Sequence, residues 1–320
     1  MIVKKNLNLF KAIPYVRYEL LFSLVVSLTV YLVYEVGDQP HFSLPNVLPS
    51  VLGAALAIFL GFRSSVAHAR WGQAALAWGG IQNSVRIFGR LIVTFSESHR
   101  HTPTYDAERT RVFQKEMIYR LIAFVTILRM KLRDQSEWKL AIKDFLSEQE
   151  YEQVVGKTNP LLALLVLQGH QIYNGMRDGT LMGFDSFQME GQMAQLSALS
   201  VQCEHIKAIP IPRQYTFFTR LFVWFFLLII PFSFVKTFDD YFEDHQGSWL
   251  IIPVSLLMAF VYGIVERTGA VNENPFENLI TDVPLSWFCT EMERDLRETL
   301  GETKESFPSA AVPDTNGYLF

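Results

Sequence analysis

Four stretches of the chain, 20–34, 48–62, 221–235 and 249–265, run for fifteen to seventeen residues without a charged side chain, and each is bounded by polar or charged positions. A helix needs roughly 20 residues, at about 1.5 Å each, to cross a bilayer core of about 30 Å. Each run therefore has to be extended by amphipathic flanks, and Tyr15, Tyr18, Tyr34, Trp224 and Trp249 are side chains suited to a membrane interface. Half of the chain is hydrophobic and 26 residues are Phe. A large buried core would also account for that composition, so the placement of charge has to decide.

That placement is one-sided. Lys4, Lys5, Lys11 and Arg17 precede the first run, Arg63 and Arg70 follow the second, Arg213 and Arg220 precede the third, and Arg267 follows the fourth. The intervening stretches 35–46 and 237–247 contain no Lys or Arg, and the latter carries Asp239, Asp240, Glu243 and Asp244. The positive-inside bias then puts both termini in the cytosol. Asn6, Asn8 and Lys11 interrupt the apolar stretch after Lys4 and Lys5, and no small-residue cleavage site follows, so no removable signal peptide is expected. The sequence predicts an all-α integral membrane protein with four transmembrane helices and a large cytosolic helical region. Its parts are an N-terminal segment with the first two spans (1–62), a cytosolic helical region (63–215), the third and fourth spans (216–268) and a cytosolic C-terminal segment and tail (269–320).

The spans differ in character. The second is rich in Gly and Ala, which let helix backbones approach closely, and it is expected near the middle of an assembly. The third is built of Phe, Leu and Ile and is expected to face lipid, while Pro231 and Pro253 predict kinks in the third and fourth. In the middle region Val112, Phe113, Met117, Ile118, Leu121, Phe124, Val125 and Leu128 recur at three and four, predicting an amphipathic helix over 109–133. Further helices are expected at 70–95, 137–147, 161–176 and 186–206, with a loop at 97–106. The tail after Gly301 is polar and expected to be poorly ordered unless it wraps a neighbouring subunit.

Several functions are left without a foothold. The net charge of −4 gives no basic excess for nucleic acid. Cys203 and Cys289 are too few for a disulfide framework and read as free thiols. There is no phosphate-binding Gly-rich loop, no nucleophile elbow and no His-Glu-x-x-His, so no enzyme activity and no cofactor is expected. His99 and His101 flank an Arg in a loop with no nearby Cys or carboxylate set, and no metal site is expected there.

One set of motifs is more specific. Gly61-Phe62-Arg63 leads into Ala67-His68-Ala69-Arg70-Trp71; Cys203-Glu204-His205-Ile206-Lys207 leads to Ile209-Pro210-Ile211-Pro212 and Tyr215; Gly263 to Glu266 leads to Glu273-Asn274-Pro275-Phe276; and Asp282-Val283-Pro284-Leu285 precedes Glu293-Arg294-Asp295-Leu296. In this order, around four spans, the blocks resemble the bestrophin family over roughly residues 10–300.

The resemblance implies a homopentameric channel of a bacterial inner membrane that passes small monovalent ions through a central pore. The second span lines an apolar neck there, with Phe62, Ile58 and Ala54 at the family's neck positions and Phe187 at a second, cytosolic constriction. Residues at i, i+4 and i+8 share a helix face, so the spacing permits stacked rings about 12 Å long. The family's best-known activity, chloride conduction, favours anions. An apolar neck carries no charge to select a sign, however, and the acidic outer segments leave a cation-selective channel as the alternative. A membrane-anchored scaffold or sensor is the rival from another class. Where eukaryotic members carry an acidic run that clasps calcium, the stretch 277–282 offers two carboxylates against the six to eight oxygens that calcium takes, and calcium-independent gating is expected. Gly72 stands where a second Trp often follows Arg-Trp.

Overall fold

The structure is a computed structural model that describes residues 1–3, 13–35, 43–98, 100, 101, 103, 105–242, 247–315 and 317–320. Among these residues there is no β-strand; ten α-helices carry the fold. They are α1 (Arg17–Glu35), α2 (Val47–Glu97), α3 (Ala107–Leu132), α4 (Trp138–Ala141), α5 (Glu148–Val155), α6 (Pro160–Arg177), α7 (Gly183–Ala208), α8 (Arg213–Tyr241), α9 (Ile251–Val271) and α10 (Leu285–Thr299). The chain divides into two compact units, one of Lys4–Arg70 with Pro210–Asn274, the other of Met1–Val3, Trp71–Ile209 and Pro275–Phe320.

The first unit holds the four segments long and apolar enough to cross a membrane: Ile13–Glu35, the start of α2, Arg213–Tyr241 and Ser248–Val271. Each outruns its uncharged core because a helix continues through a few charged residues once its end reaches the interface. α1, α8 and α9 pack against one another, with Phe22 of α1 set edge-on to Trp224 of α8 at 4.8 Å between ring centroids. Leu56 and Leu60 of α2 join Val223, Phe226, Leu227 and Ile230 of α8 and Ala259 of α9 in one apolar core.

Gly53 makes that approach possible. A Cβ there would stand 2.9 Å from Phe226 Cε2, and the Gly53 carbonyl accepts from Tyr262 Oη at 3.3 Å. Polar contacts close one end of the bundle. Tyr34 Oη donates to Asp239 Oδ2 at 3.1 Å, Ser248 Oγ bonds to Glu35, and Asn46 bonds to Thr237. Glu35, Asn46, Thr237 and Ser248, at or beside the described ends of the two stretches without Lys or Arg, thus gather at the same end of the bundle. Asp239 and Asp240 lie within α8, whose helix runs on to Tyr241, whereas Glu243 and Asp244 fall outside the described residues. Pro231 lies inside α8 as expected. Pro253 does not interrupt α9, because it occupies the first turn, where the missing N–H has no intrahelical partner to lose.

In the second unit α2 continues without the break that the separate runs at 48–62 and 70–95 suggested. Trp78, Phe88, Met117, Phe124, Met189, Met292 and Leu296 share its core. The predicted helices at 109–133, 161–176 and 186–206 correspond to α3, α6 and α7. Asp106 caps α3 by accepting from the Glu108 and Arg109 N–H groups, and Asn159 caps α6 ahead of Pro160.

The helix expected at 137–147 is instead α4 followed by a 3-10 turn, Lys143–Phe145, and then α5. Ser147 ends that stretch because it caps α5: its N–H and hydroxyl donate to Glu150 Oε2 at 3.0 and 2.7 Å. α10, which the sequence reading did not pick out, buries Leu285, Cys289, Met292 and Leu296 at three-and-four spacing. The tail also differs from expectation. It turns back on its own chain, where Ile2 bridges Tyr318, Val3 N–H donates to Gly317 O at 2.9 Å, and Trp287 N–H donates to Phe320 O at 2.8 Å.

Candidate functional site

α2 enters the first unit with two unlike faces. One face, with Gly53, Leu56, Leu60, Arg63 and Ala67, is buried. The opposite face presents Val47, Val51, Ala54, Ile58, Phe62 and Val66 outward. Ile58 is 61% exposed and Phe62 70% exposed in the protomer. The three predicted neck residues thus share one apolar stripe that the chain's own helices leave uncovered. Gly61, beside that stripe, has nothing within 4 Å of a would-be Cβ, so packing within the protomer does not demand a glycine there.

Next to Phe62 stands the best-buried ion pair among the described residues of the unit. The side chains of Arg63 and Glu266 are 4% and 6% exposed, with Nη1 and Oε1 3.0 Å apart. On the other edge of the same guanidinium Nε donates to Glu273 Oε1 at 2.8 Å, while Nη2 lies 2.8 Å from that oxygen as an ion-pair contact without a hydrogen bond. Glu273 also accepts from Thr216 Oγ1 at 3.2 Å. Arg63 therefore joins α2 to α9, to the turn after α9 and to the first turn of α8. One hydrogen bond to each of two carboxylates, from different edges of a planar guanidinium, holds a helix against rotation better than a lone contact does. The sequence motifs contained Arg63, Glu266 and Glu273 without giving them this role. The signal was a charge placed immediately after an uncharged run on two spans, which is costly unless the two meet.

Phe187, the fourth predicted site residue, is the fifth residue of α7 in the second unit and is 79% exposed. It borders a groove with Ile87, Arg90, Leu91, Gln188 and Gln192.

The calcium question falls on Asp282. This carboxylate is buried and accepts from Leu279 N–H at 3.0 Å, closing its own loop. Burial raises its pKa, and the N–H bonds that it accepts offset only part of that shift. Among the described residues no group of three or more His, Cys, Asp or Glu stands together as a metal site. His101 is among them and exposed, while His99 falls outside them.

The sequence profile of the family described as Bacterial/Fungal Bestrophin protein matches residues 11–298. The chain belongs to the bestrophin family. Among its curated relatives is the voltage-dependent anion channel-forming protein YneE of Escherichia coli (strain K12), 26% identical over 84% of this chain and 81% of that protein. Another is the voltage-dependent anion channel-forming protein sll1024 of Synechocystis sp., 25% identical over 90% of this chain and 88% of the relative. The crystal structure of a bacterial bestrophin homologue from Klebsiella pneumoniae superposes with a TM-score of 0.78, at 24% identity, covering 89% of this chain and 98% of the other. That likeness establishes the fold. This bestrophin is an all-helical membrane protein, and its four apolar helices are the ones that the uncharged runs marked.

Proposed function

We propose that this bestrophin is one subunit of a homopentameric channel that passes small monovalent anions passively, with α2 of each subunit facing a common axis. The observation that carries the reading is the uncovered stripe of Ala54, Ile58 and Phe62. Five copies turned inward stack three apolar rings over about 12 Å. A narrow apolar constriction stops ions by dewetting, so a small widening of the Ile58 and Phe62 rings opens it. Ala54 makes the outer ring the widest of the three, and Phe187 supplies the second constriction on the cytosolic side. The bacterial inner membrane, with both termini in the cytosol, is the setting that the one-sided Lys and Arg placement supports. No catalytic chemistry is part of this reading.

The preference for anions rests on the relatives named as anion channel-forming. Cation selectivity is the second reading, carried by the acid-rich stretch that includes Asp240. Gating without calcium is supported by the commitment of Asp282 to its own loop. Reconstitution in planar bilayers under asymmetric KCl tests all three. A reversal potential near that of chloride, larger currents in Phe62→Ala, and an open probability unchanged by micromolar calcium are the expected results. A potassium-like reversal selects the cation reading. Calcium activation lost in Asp282→Ala overturns calcium independence, and silence of every variant in every salt makes the protein a membrane-anchored scaffold.

A further inference from the structure

Arg129 stands in the last turn of α3, and Arg133 is the C-cap residue one turn later, so the two side chains leave neighbouring positions of one face. Both donate through Nη1 to a single acceptor, Ser286 Oγ in the first turn of α10, at 3.3 and 2.7 Å. Among the described residues neither guanidinium has a carboxylate partner, and both Nε atoms are buried without a hydrogen bond. The serine hydroxyl is already accepting twice. Its own proton has no acceptor among the described residues.

The unit offers these two cations no direct salt bridge among the described residues. The C-terminus of α3 supplies about half a negative charge against two full cations. Asp282 is the carboxylate that acts on Arg133, but only from a distance: its oxygen accepts from Leu279 N–H, and it forms no salt bridge with either guanidinium. Burial, and then the Arg129 cation, bring the Arg133 pKa down to about 10, so Arg133 remains charged at neutral pH. Two partly buried like charges that share one neutral hydroxyl are retained where a counter-ion completes the arrangement.

We propose that Arg129, Arg133 and Ser286 form a binding site for a small oxyanion of the phosphate class. The guanidinium edges left over after Ser286 match paired oxygens, and the serine proton supplies a further donor to the same group. A spherical halide offers no pair of oxygens to a planar fork, which separates this site from a binding point for the permeating ion. The source is inorganic phosphate or the phosphate of a small phosphomonoester; the chemistry recognised is the same. None of the neck residues takes part, so the inference stands apart from the conduction reading.

Isothermal titration of the full chain in detergent with sodium phosphate tests it, with sodium chloride at equal ionic strength and glycerol 3-phosphate as the comparison arms. Saturable phosphate binding at one site per chain is expected, weakened about tenfold or more in Arg133→Gln and several-fold in Ser286→Ala, with no competition from chloride. Arg129→Lys keeps the charge and removes the fork. It supplies the weakened variant should Arg133→Gln fail to fold. Glycerol 3-phosphate binding as tightly as phosphate makes the site open to esters, and a loss of that binding restricts it to the inorganic ion. Equal phosphate affinity in wild type and all three variants overturns the proposal. So does an absence of phosphate binding together with a change of oligomer size in Arg133→Gln, which assigns the pair to a neighbouring subunit's carboxylate.

Discussion

Replacing Arg63 with Met removes the cation that Glu266 and Glu273 share at the end of the spans and leaves the buried Glu266 without its partner. The pair Arg63–Glu266 is 3.0 Å apart and almost closed to solvent, and the Nε bond to Glu273 is 2.8 Å. Removing one partner of a buried pair costs about 3–5 kcal/mol, because the surviving charge stays buried without compensation. Native stabilities are about 5–15 kcal/mol, so Arg63→Met should remove a large share of the total. The neutral triple variant Arg63→Met, Glu266→Gln, Glu273→Gln separates charge from packing. With no ion left to strand, it should recover most of the loss, since neutral substitutes of similar volume often match a buried ion pair. Unfolding followed by Trp fluorescence in mixed micelles, as a function of denaturing detergent, measures all three proteins. A single variant within about 1 kcal/mol of wild type, or a triple variant no better than the single, refutes the reasoning.

Two further perturbations follow from the same structure. Gly53→Ala should destabilise by about 1–3 kcal/mol, because its Cβ meets the Phe226 ring at 2.9 Å, while Gly61→Ala, with open space around it, should be neutral or gain up to about 1 kcal/mol in helix propensity; equal melting temperatures for the two variants contradict this. For Glu150, burial opposes ionisation, but the Ser147 donors and the Arg120 guanidinium together outweigh it and hold the carboxyl below its ordinary value of 4.5. Its folded pKa is thus lower than its unfolded one, so its contribution is present above about 4.5 and lost as the pH falls through the folded value. Melting temperatures from pH 7 down to 3 should drop more for wild type than for Glu150→Gln, and parallel curves rule it out.

The spans were legible because a bilayer demands long uncharged runs, and nothing in a soluble core imposes that demand so strictly. The apolar stripe of α2 was legible too, since residues at i, i+4 and i+8 must share a face whatever surrounds them. The continuity of α2 through Arg63 and Arg70 was not. A charged side chain ends a hydrophobic run without ending a helix, and the partners that allow Arg63 to be buried lie more than two hundred residues away. The 137–147 stretch failed for the opposite reason. Its composition suits a helix, but Ser147 and Glu150 close a capping box that starts a new one. The Arg129, Arg133 and Ser286 cluster depends on α10 meeting the end of α3, which no local pattern announces.

The native thiols allow a direct test of which α2 face meets the ion path. Cys203 and Cys289 are buried, and burial pushes both thiols up to about 12, so the wild type should be inert to a charged thiol reagent at neutral pH. Against that silent background, the reagent applied to bilayer currents of Ile58→Cys and Leu56→Cys compares the exposed face of α2 with its buried one. Rapid, irreversible block of Ile58→Cys with Leu56→Cys and wild type unaffected is the predicted result. Block of Leu56→Cys with Ile58→Cys conducting normally would place the axis on the other side of the helix and contradict the account.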